Sequence, residues 1–364
     1  MSVGKRVLIT GATGAIGSMH ILELLNRGYE VFCLIRGNSE DERLKKLAVV
    51  VGYNIAYRVR IIGGEITKPL AGVDHQVIAA LKGSIDVVIH HAGSIKFDRK
   101  WQEEIMATNI MGTANMLALA EALAIKYFCY DSTAYALNLQ PRNPYEESKQ
   151  IAEGLVLDWQ YGQSMVWRPS IVVGRSTDGV THGFSGYYGF FSGFNYLKYQ
   201  FAKQWQDDED GCRQTGVEFN NKTMILLRPL YIDYSRTSTL NLIPVDWAVS
   251  TMTDLLEADN WGTAYNIVNN NPPLVAWIIE RSFDILAIKG VKRLPCGEFP
   301  LPTSDLWATI QQSINSKLER FWPYINHEIP FVSDASVPAP QVDTSFLEKM
   351  LAYAVEYRFG YKQR

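Results

Sequence analysis

The sequence predicts an α/β protein in which helices cover both faces of a parallel β-sheet. From residue 5 to about residue 175, short runs rich in β-branched residues alternate with longer segments whose apolar residues recur every three or four positions. The first short run leads directly into a glycine-rich turn, a third feature that is typical of this class. Hydrophobic residues make up 47% of the chain, which is sufficient for a large core.

Six strands are predicted in this half of the chain. They cover residues 7–10, 31–35, 59–62, 87–90, 127–130 and 165–167. Helices are predicted to begin near Ile16, Trp101 and Tyr145, where the apolar spacing changes from two to three or four. A parallel sheet of this kind requires right-handed crossovers, and its ligands bind at the carboxyl ends of the strands.

A second, smaller unit is predicted after residue 175, where the regular alternation ends and aromatic and glycine-rich segments begin. We therefore expect a dinucleotide-binding domain over residues 1–175 and a substrate-binding C-terminal domain over residues 176–364. The two are expected to interleave, because residues near 240–270 again read as a helix followed by a strand.

Bulk properties exclude several classes of protein. The net charge of −3, from 35 basic and 38 acidic residues, leaves no field that would hold nucleic acid. No apolar run approaches the roughly 20 residues that cross a bilayer, and no signal peptide is visible, so a cytoplasmic protein is expected. The four cysteines, Cys33, Cys129, Cys212 and Cys296, are widely spaced and are expected to be reduced.

The glycine-rich turn, GATGAIG at residues 11–17, is the first candidate binding site. Glycine in such a turn allows a tight bend and a close approach of the backbone to a pyrophosphate, and the following helix offers free N–H groups to it. The expected ligand is a dinucleotide. Its predicted contacts in this turn are Gly11, Thr13, Gly14, Ala15, Ile16 and Gly17.

The second strand ends at Arg36, which predicts a preference for NADPH. An acidic residue at this position would bind the ribose 2′-hydroxyl of NAD, whereas an arginine can pair with a 2′-phosphate. Arg43 in the next helix is either a second such charge or, more simply, a solvated surface residue.

The ends of the third and fourth strands are predicted to complete the cofactor cleft. Glu65 and Ile66 follow the third strand and are expected beside the adenine. His91, Ala92 and Gly93 follow the fourth strand, where small residues leave room for the dinucleotide. We expect the His91 side chain to pack in the turn rather than to take part in catalysis.

Tyr145 and Lys149 are the predicted catalytic pair. Their spacing of four residues on a helix places both side chains on one face, about 6 Å apart at their bases. The ammonium is expected to favour the phenolate and so to lower the pKa of Tyr145 from about 10 toward neutrality. The phenol could then donate and accept protons during the reaction.

Two hydroxyls precede this helix at the end of the fifth strand. Either one can donate to a substrate carbonyl and stabilise an oxyanion, or can simply cap the turn. Thr133 is the preferred candidate and Ser132 is the alternative.

With these residues in place, the chain resembles the extended short-chain dehydrogenases/reductases. Within them it is most similar to fatty acyl reductases and to the thioester reductase domains that end polyketide and nonribosomal peptide synthetases. The segments that carry the resemblance are CLIR at 33–36, GEITKPL at 64–70, HAGSIKFD at 91–98, NIMGT at 109–113, STAY at 132–135, RPSIVVG at 168–174 and NLIPVDW at 241–247. They cover about residues 5–270.

The resemblance implies a Rossmann fold and NADPH-dependent reduction of an acyl thioester carried by coenzyme A or by an acyl or peptidyl carrier protein. Pro169 and Ser170 would lie beside the nicotinamide, and Lys149 would hold its ribose. Thr133 and Tyr145 would stabilise the tetrahedral alkoxide. The thiol would then leave and an aldehyde would form, which a second NADPH could reduce to the alcohol.

The chain departs from the family pattern in two places, and other functions remain open. Glu65 stands where the family usually has Asp, and only eleven residues separate Thr133 from Tyr145, a short connection for the family. The same fold also serves ketone and aldehyde reductases, sugar-nucleotide epimerases and dehydratases, and a dinucleotide sensor that lacks catalysis is a third class. Intact Tyr145 and Lys149 disfavour the sensor.

Residues 184–201 are the predicted substrate region, with nine aromatic residues, several glycines and no acid. They are expected to form an apolar wall over the nicotinamide or a core between domains, and a weak contact with a membrane surface is a third option. Lys198 and His182 could meet a carrier phosphate, although simple solvation is the more economical expectation.

Overall fold

The structure is a computed structural model that describes residues 5–294 and 306–361. The strands are β1 (Arg6–Thr10), β2 (Glu30–Ile35), β3 (Arg60–Gly63), β4 (Val87–His90), β5 (Tyr127–Asp131), β6 (Gln163–Pro169), β7 (Ile171–Val173), β8 (Val217–Asn220), β9 (Thr223–Asp233), β10 (Leu242–Pro244), β11 (Thr263–Ile267) and β12 (Ile288–Leu294). The α-helices are α1 (Ala15–Asn26), α2 (Glu40–Val51), α3 (Tyr53–Ala56), α4 (His75–Leu81), α5 (Gln102–Met106), α6 (Gly112–Ala122), α7 (Pro144–Leu157), α8 (Tyr187–Asp207), α9 (Glu209–Thr215), α10 (Val245–Glu257), α11 (Val275–Ile285), α12 (Leu306–Leu318), α13 (Trp322–Asn326) and α14 (Thr344–Glu356).

The central sheet has seven parallel strands in the order β3-β2-β1-β4-β5-β6-β11. This confirms the predicted doubly wound, Rossmann-type fold, and each of the six predicted strands lies in the sheet. The seventh, β11, comes from the segment near residue 265. The strand order reverses between β1 and β4, and a ligand crevice opens at the carboxyl ends of the strands at such a point.

A second core lies outside the central sheet. The buried aromatic residues of α8, including Phe191 and Phe194, pack against α11, α14 and a separate sheet of order β12-β9-β8. By contrast, Trp247 and Met252 of α10 pack in the same core as Val7 of β1. These two cores support our proposal of a first domain over residues 1–175, to which residues 240–270 return, and a C-terminal domain over residues 176–364.

Three of the cysteines, Cys33, Cys129 and Cys212, are buried free thiols, whereas Cys296 lies outside the described residues. Among the helices of residues 5–294 and 306–361, none combines the length and the apolar character that are needed to span a membrane.

Candidate active site

One cleft of about 940 Å³ follows the carboxyl edge of the central sheet and continues toward the aromatic core of α8. It contains every residue predicted to bind the cofactor or to catalyse the reaction. Those residues are Gly11, Thr13, Gly14, Ala15, Ile16, Gly17, Arg36, Glu65, Ile66, His91, Ala92, Gly93, Ser132, Thr133, Tyr145, Lys149, Pro169 and Ser170. The fold therefore brings together segments that are up to about 160 positions apart in the chain.

The glycine turn forms a tight cradle at one end of the cleft. Gly11 has φ +69°, and a Cβ there would lie 2.8 Å from the Ala92 nitrogen. A Cβ on Gly17 would collide with the Gly11 carbonyl, so α1 packs closely against the turn. Gly14 precedes α1 and no side chain caps the helix, which leaves its first N–H groups for an anion. These features fit the pyrophosphate of a dinucleotide.

Arg36 lines the cleft at the end of β2. Its side chain is 75% exposed and its guanidinium is 3.6 Å from a Glu65 carboxylate oxygen. Lys46 of α2, which the sequence did not suggest, also lines the cleft and donates to the Arg36 carbonyl at 3.0 Å. Arg43 is neither a second cleft charge nor a solvated surface residue, because it is partly buried against Gly63 and donates to the Gly37 carbonyl at 2.8 Å.

Lys149 is buried beneath the centre of the cleft. Its ammonium donates to the Asp131 main-chain carbonyl at 2.6 Å, and a Cβ on Gly93 would lie 3.4 Å from it. Burial lowers the pKa of Lys149, while the Asp131 and Glu153 carboxylates oppose this shift.

Tyr145 lies on the same face of α7, but the predicted lowering of its pKa is wrong in this structure. Burial raises the pKa of the phenol, and the Asp131 carboxylate raises it further. A hydrogen bond with Thr133 opposes this rise without reversing it. The reason is that the spacing on one helix reveals only the lysine, whereas the fold also buries the phenol and brings the Asp131 carboxylate of β5 close to it.

The two candidate hydroxyls at the end of β5 have different partners. The Ser132 hydroxyl donates to the Glu153 carboxylate at 2.8 Å, and Arg168 pairs with the same carboxylate. Thr133 instead contacts Tyr145, and its hydroxyl accepts a weak bond from the Tyr135 N–H at 3.4 Å. Of the two, Thr133 is therefore the hydroxyl that interacts with the Tyr145 phenol.

Asn109 supports the site from behind the cleft, and it received no role from the sequence although it begins the segment NIMGT at 109–113. It lies in a π-helical turn, Ala107–Met111, between α5 and α6. Its amide forms two bonds with the main chain of Ser94, at 2.6 and 3.0 Å, and donates to the Ser148 hydroxyl at 2.8 Å. Asn109 thus links the turn after β4 to the helix that carries Lys149. A π turn has no sequence period that would have signalled it.

The remaining predicted cofactor contacts surround this centre. The Ala92 N–H donates to the Thr10 hydroxyl at 3.1 Å, which holds the turn after β4 against the end of β1. Pro169 ends β6, and the buried Ser170 hydroxyl has no partner within the described residues. The Asp131 Oδ1 atom is also buried without a partner there. Two unsatisfied polar atoms in one cleft wall fit a ligand that supplies hydrogen-bond partners.

The far arm of the cleft is apolar. It is lined by Phe190 and Phe191 of α8, by Ile278 of α11 and by Phe321. Gly189 of α8 also lines it, and a Cβ at this position would lie 3.2 Å from the Phe321 ring. The aromatic segment thus serves both as a cleft wall and as part of the C-terminal core.

Lys198 does not reach the cleft and is not simply solvated, contrary to both expectations. Its ammonium donates to the Leu286 carbonyl at 2.6 Å, and burial lowers its pKa. It therefore connects α8 to the end of α11.

A buried network connects the catalytic helix to the C-terminal part of the chain. Glu146, adjacent to Tyr145, is fully buried and accepts from Arg142 at 2.7 Å and from the Tyr324 hydroxyl at 2.7 Å. Tyr324 also lines the cleft and stacks on Phe97, with ring centroids 5.5 Å apart. The start of α7 is thus anchored on the side where the apolar arm begins.

The chain matches one protein-family model. This is an NAD-binding family described as "Male sterility protein", and the matched segments are residues 9–142 and 136–252.

Curated relatives are similar over part of the chain. The large subunit of L-2-aminoadipate reductase from Eremothecium gossypii is 26% identical over 194 residues, or 47% of this chain and 14% of that protein. Fatty acyl-CoA reductase 1 from Xenopus laevis is 28% identical over 148 residues, or 36% of this chain and 28% of that protein. The matches thus span less than a third of these relatives' own length.

Solved structures share the fold over nearly the whole chain. The terminal R domain of the myxalamid PKS-NRPS biosynthetic pathway superposes with a TM-score of 0.75 at 21% identity, covering 100% of this chain and 93% of that one. A thiolation-reductase di-domain from an archaeal nonribosomal peptide synthetase superposes with a TM-score of 0.70 at 16% identity. This match covers 98% of this chain and 76% of that one. At these identities the similarity establishes the fold.

Proposed function

The chain belongs to the NAD-binding family described as "Male sterility protein", and on this premise we propose that it reduces an acyl thioester to an aldehyde with NADPH. Membership confirms the predicted place among extended short-chain dehydrogenases/reductases of the fatty acyl and thioester reductase branch. A nicotinamide dinucleotide is the cofactor of this family. The preference for NADPH, the thioester substrate and the role of each residue are our proposals.

The observation that carries this function is the continuity of the cleft. A cradle suited to a pyrophosphate and an apolar arm suited to an acyl chain meet at Tyr145, Lys149 and Thr133. The apolar arm would be unsuitable for a sugar nucleotide, whose hydroxyls need polar partners. We therefore favour an acyl substrate over the epimerase and dehydratase alternatives.

Each catalytic residue has a proposed duty. The bound dinucleotide supplies a hydride to the carbonyl carbon. Thr133 and Tyr145 donate hydrogen bonds to the carbonyl oxygen and stabilise the negative charge that develops there. Because burial and Asp131 raise the pKa of Tyr145, the phenol is held in its acid form and is suited to donating a proton. Lys149 orients the cofactor ribose.

The proposed specificity for NADPH rests on Arg36. Its exposed guanidinium at the rim is suited to a charge-assisted bond with a 2′-phosphate, and Lys46 adds a second cation beside it. Glu65 and Ile66 would contact the adenine, while Gly93 and Ser170 would lie beside the nicotinamide riboside.

We propose that the thiol of the substrate belongs to a phosphopantetheine arm, on coenzyme A or on a carrier protein. The thiolation-reductase di-domain among the similar folds supports a carrier protein, and the fatty acyl-CoA reductase among the relatives supports coenzyme A. Both sources present the same thioester to the cleft. Comparing the two in one assay distinguishes them.

The test is a stoichiometric assay. The purified protein is incubated with acyl-CoA thioesters of increasing chain length and with the same acyl groups on a carrier protein, in the presence of NADPH or NADH. Released thiol and consumed cofactor are measured together. One thiol per NADPH indicates an aldehyde product, and one thiol per two NADPH indicates an alcohol.

The controls separate this function from its alternatives. Tyr145→Phe should reduce the rate of thiol release at least about 100-fold while the cofactor still binds. Oxidation of NADPH by ketones or aldehydes without thiol release from any thioester would point to a simple carbonyl reductase. The absence of thiol release across the whole series would refute the proposal.

A further inference from the structure

A buried hydrogen-bond chain lies behind the catalytic residues and has no part in the reaction as described so far. His91 follows β4 and Asp131 ends the neighbouring parallel strand β5. The His91 Nδ1 atom lies 2.9 Å from the Asp131 Oδ2 atom, and the two side chains are only 2% and 8% exposed. Such a burial of a carboxylate requires a partner that offsets its charge.

The hydrogen bonds continue from His91, away from the cleft, to a second imidazole. The His91 Nε2 atom lies 2.8 Å from the Nδ1 atom of His20 on α1, and the His20 Nε2 atom lies 3.1 Å from the hydroxyl of Thr253 on α10. Burial, helped by His91 and Arg27, lowers the pKa of His20 well below its usual value, so His20 is neutral. It carries one N–H and one lone pair.

The hydrogens shared along these hydrogen bonds can be counted. The Thr253 hydroxyl donates its single hydrogen to the Val249 carbonyl at 2.8 Å. His20 must then donate from Nε2 to Thr253, and its Nδ1 accepts from the His91 Nε2. Since the His91 Nδ1 also lies within hydrogen-bond distance of Asp131, another hydrogen must lie between those two atoms. The pair thus holds one proton more than a neutral imidazole beside a carboxylate.

The pair contacts the catalytic residues directly. The Asp131 carbonyl accepts from the Lys149 ammonium, and the Asp131 carboxylate lines the cleft with its Oδ1 atom unpartnered. The other charged or titratable groups around the pair lie on several elements. They are His20 of α1, Arg27 after α1 through His20, His90 of β4, Tyr130 of β5, Tyr145 and Glu153 of α7, and Arg168 of β6 through Glu153.

We propose that His91 is a positioning residue for the reduction, because it shares a buried proton with Asp131 and thereby sets the charge that faces Tyr145 and Lys149. As an imidazolium beside a carboxylate, the pair has no net charge, but the carboxylate is the member that acts on the pKa of Tyr145, and its hydrogen bond to His91 keeps it in place. The kinetic effect of this role rests on the proposed function. The protonation of the pair does not depend on it.

The kinetic consequence has a definite sign. The Asp131 carboxylate raises the pKa of Tyr145 and that of Lys149. Replacing it with a neutral amide in Asp131→Asn lowers both, so the alkaline fall of kcat should move to lower pH by at least about one unit. In His91→Asn the negative charge of the Asp131 carboxylate loses its positive partner. The alkaline fall of kcat should therefore not move to lower pH in this variant.

The experiment has two arms. In the first, ¹⁵N-histidine spectra of the whole unaltered protein are recorded between pH 6 and 8, with His91→Asn identifying the resonance among six histidines. Both ring nitrogens of His91 should be protonated. In the second, pH profiles of kcat are compared for wild type, Asp131→Asn and His91→Asn. The exposed His75→Asn is the matched control and should retain the wild-type profile.

The outcomes are separable. A His91 ring with only one protonated nitrogen would overturn the proposal, and this arm needs neither a substrate nor a folded variant of Asp131. The proposal would also be overturned if the alkaline fall of kcat in Asp131→Asn lay within about 0.3 pH unit of that in the wild type. If no thioester is turned over but His91 is doubly protonated, the proposed function fails while the protonated pair stands.

Discussion

Removing the guanidinium of Arg36 should convert a cofactor preference into near indifference. In Arg36→Ala the exposed cation at the rim of the cleft is lost, while the glycine cradle and the catalytic residues are unchanged. The substitution also leaves the Glu65 carboxylate without its partner at 3.6 Å. A 2′-phosphate would then face an anion in place of a cation, whereas the 2′-hydroxyl of NADH would meet no such repulsion.

The magnitude follows from the exposure of this arginine. A hydrogen bond to a charged group contributes about 1.5–3 kcal/mol, and a side chain that is 75% exposed belongs at the lower end of that range. The newly unpaired Glu65 adds up to about 1 kcal/mol of repulsion. Since about 1.4 kcal/mol is tenfold in affinity, the Kd for NADPH should rise about 10- to 50-fold. The Kd for NADH should change by less than about threefold.

The assay is a titration of each variant with NADPH and NADH, followed by cofactor fluorescence at fixed ionic strength. Arg36→Ala/Glu65→Gln should recover part of the lost NADPH affinity, because it removes the repulsive carboxylate. Arg58→Ala alters an exposed arginine outside the cleft and serves as the control. Equal weakening of both cofactors would show that Arg36 supports the fold of the rim and does not recognise the phosphate.

Three further predictions concern catalysis, substrate length and stability. Tyr145→Phe should reduce kcat at least about 100-fold with little change in the Kd for NADPH, and unchanged turnover would exclude the phenol as the proton donor. Gly189→Leu should crowd the Phe321 ring, which would lie only 3.2 Å from a Cβ at that position, and so narrow the apolar arm. The ratio of kcat/KM for long acyl chains to that for short ones should then fall about tenfold or more, and an unchanged ratio would place the acyl chain elsewhere. Burial raises the pKa of Glu328 to about 7, so its neutral form favours folding and this contribution is lost as pH rises from about 4.5 through 7. The Tm of wild type should therefore fall relative to Glu328→Gln across that window, whereas parallel curves would contradict the raised pKa.

Much of the fold and of the candidate site follows from local sequence patterns. The strands of the central sheet are short hydrophobic runs, and their ends shifted by no more than two residues between prediction and structure. The glycine turn, Tyr145 and Lys149 were predicted because each depends on neighbours within one turn or one helix. The difference between Thr133 and Ser132, by contrast, depends on Glu153 of another element, which accepts a hydrogen bond from the serine hydroxyl in the folded protein.

The sequence by itself determined the class of protein, because alternating hydrophobic periods, a glycine turn and a four-residue spacing are local properties that the chain carries wherever it folds. Tertiary structure alone decided the electrostatics of the site. Asp131 comes from a different strand than Tyr145, and His20 and Thr253 are 233 positions apart. Burial then set the sign of the shift in the pKa of Tyr145, since the cost of ionising a phenol depends on every charge around it and on the water that the fold excludes.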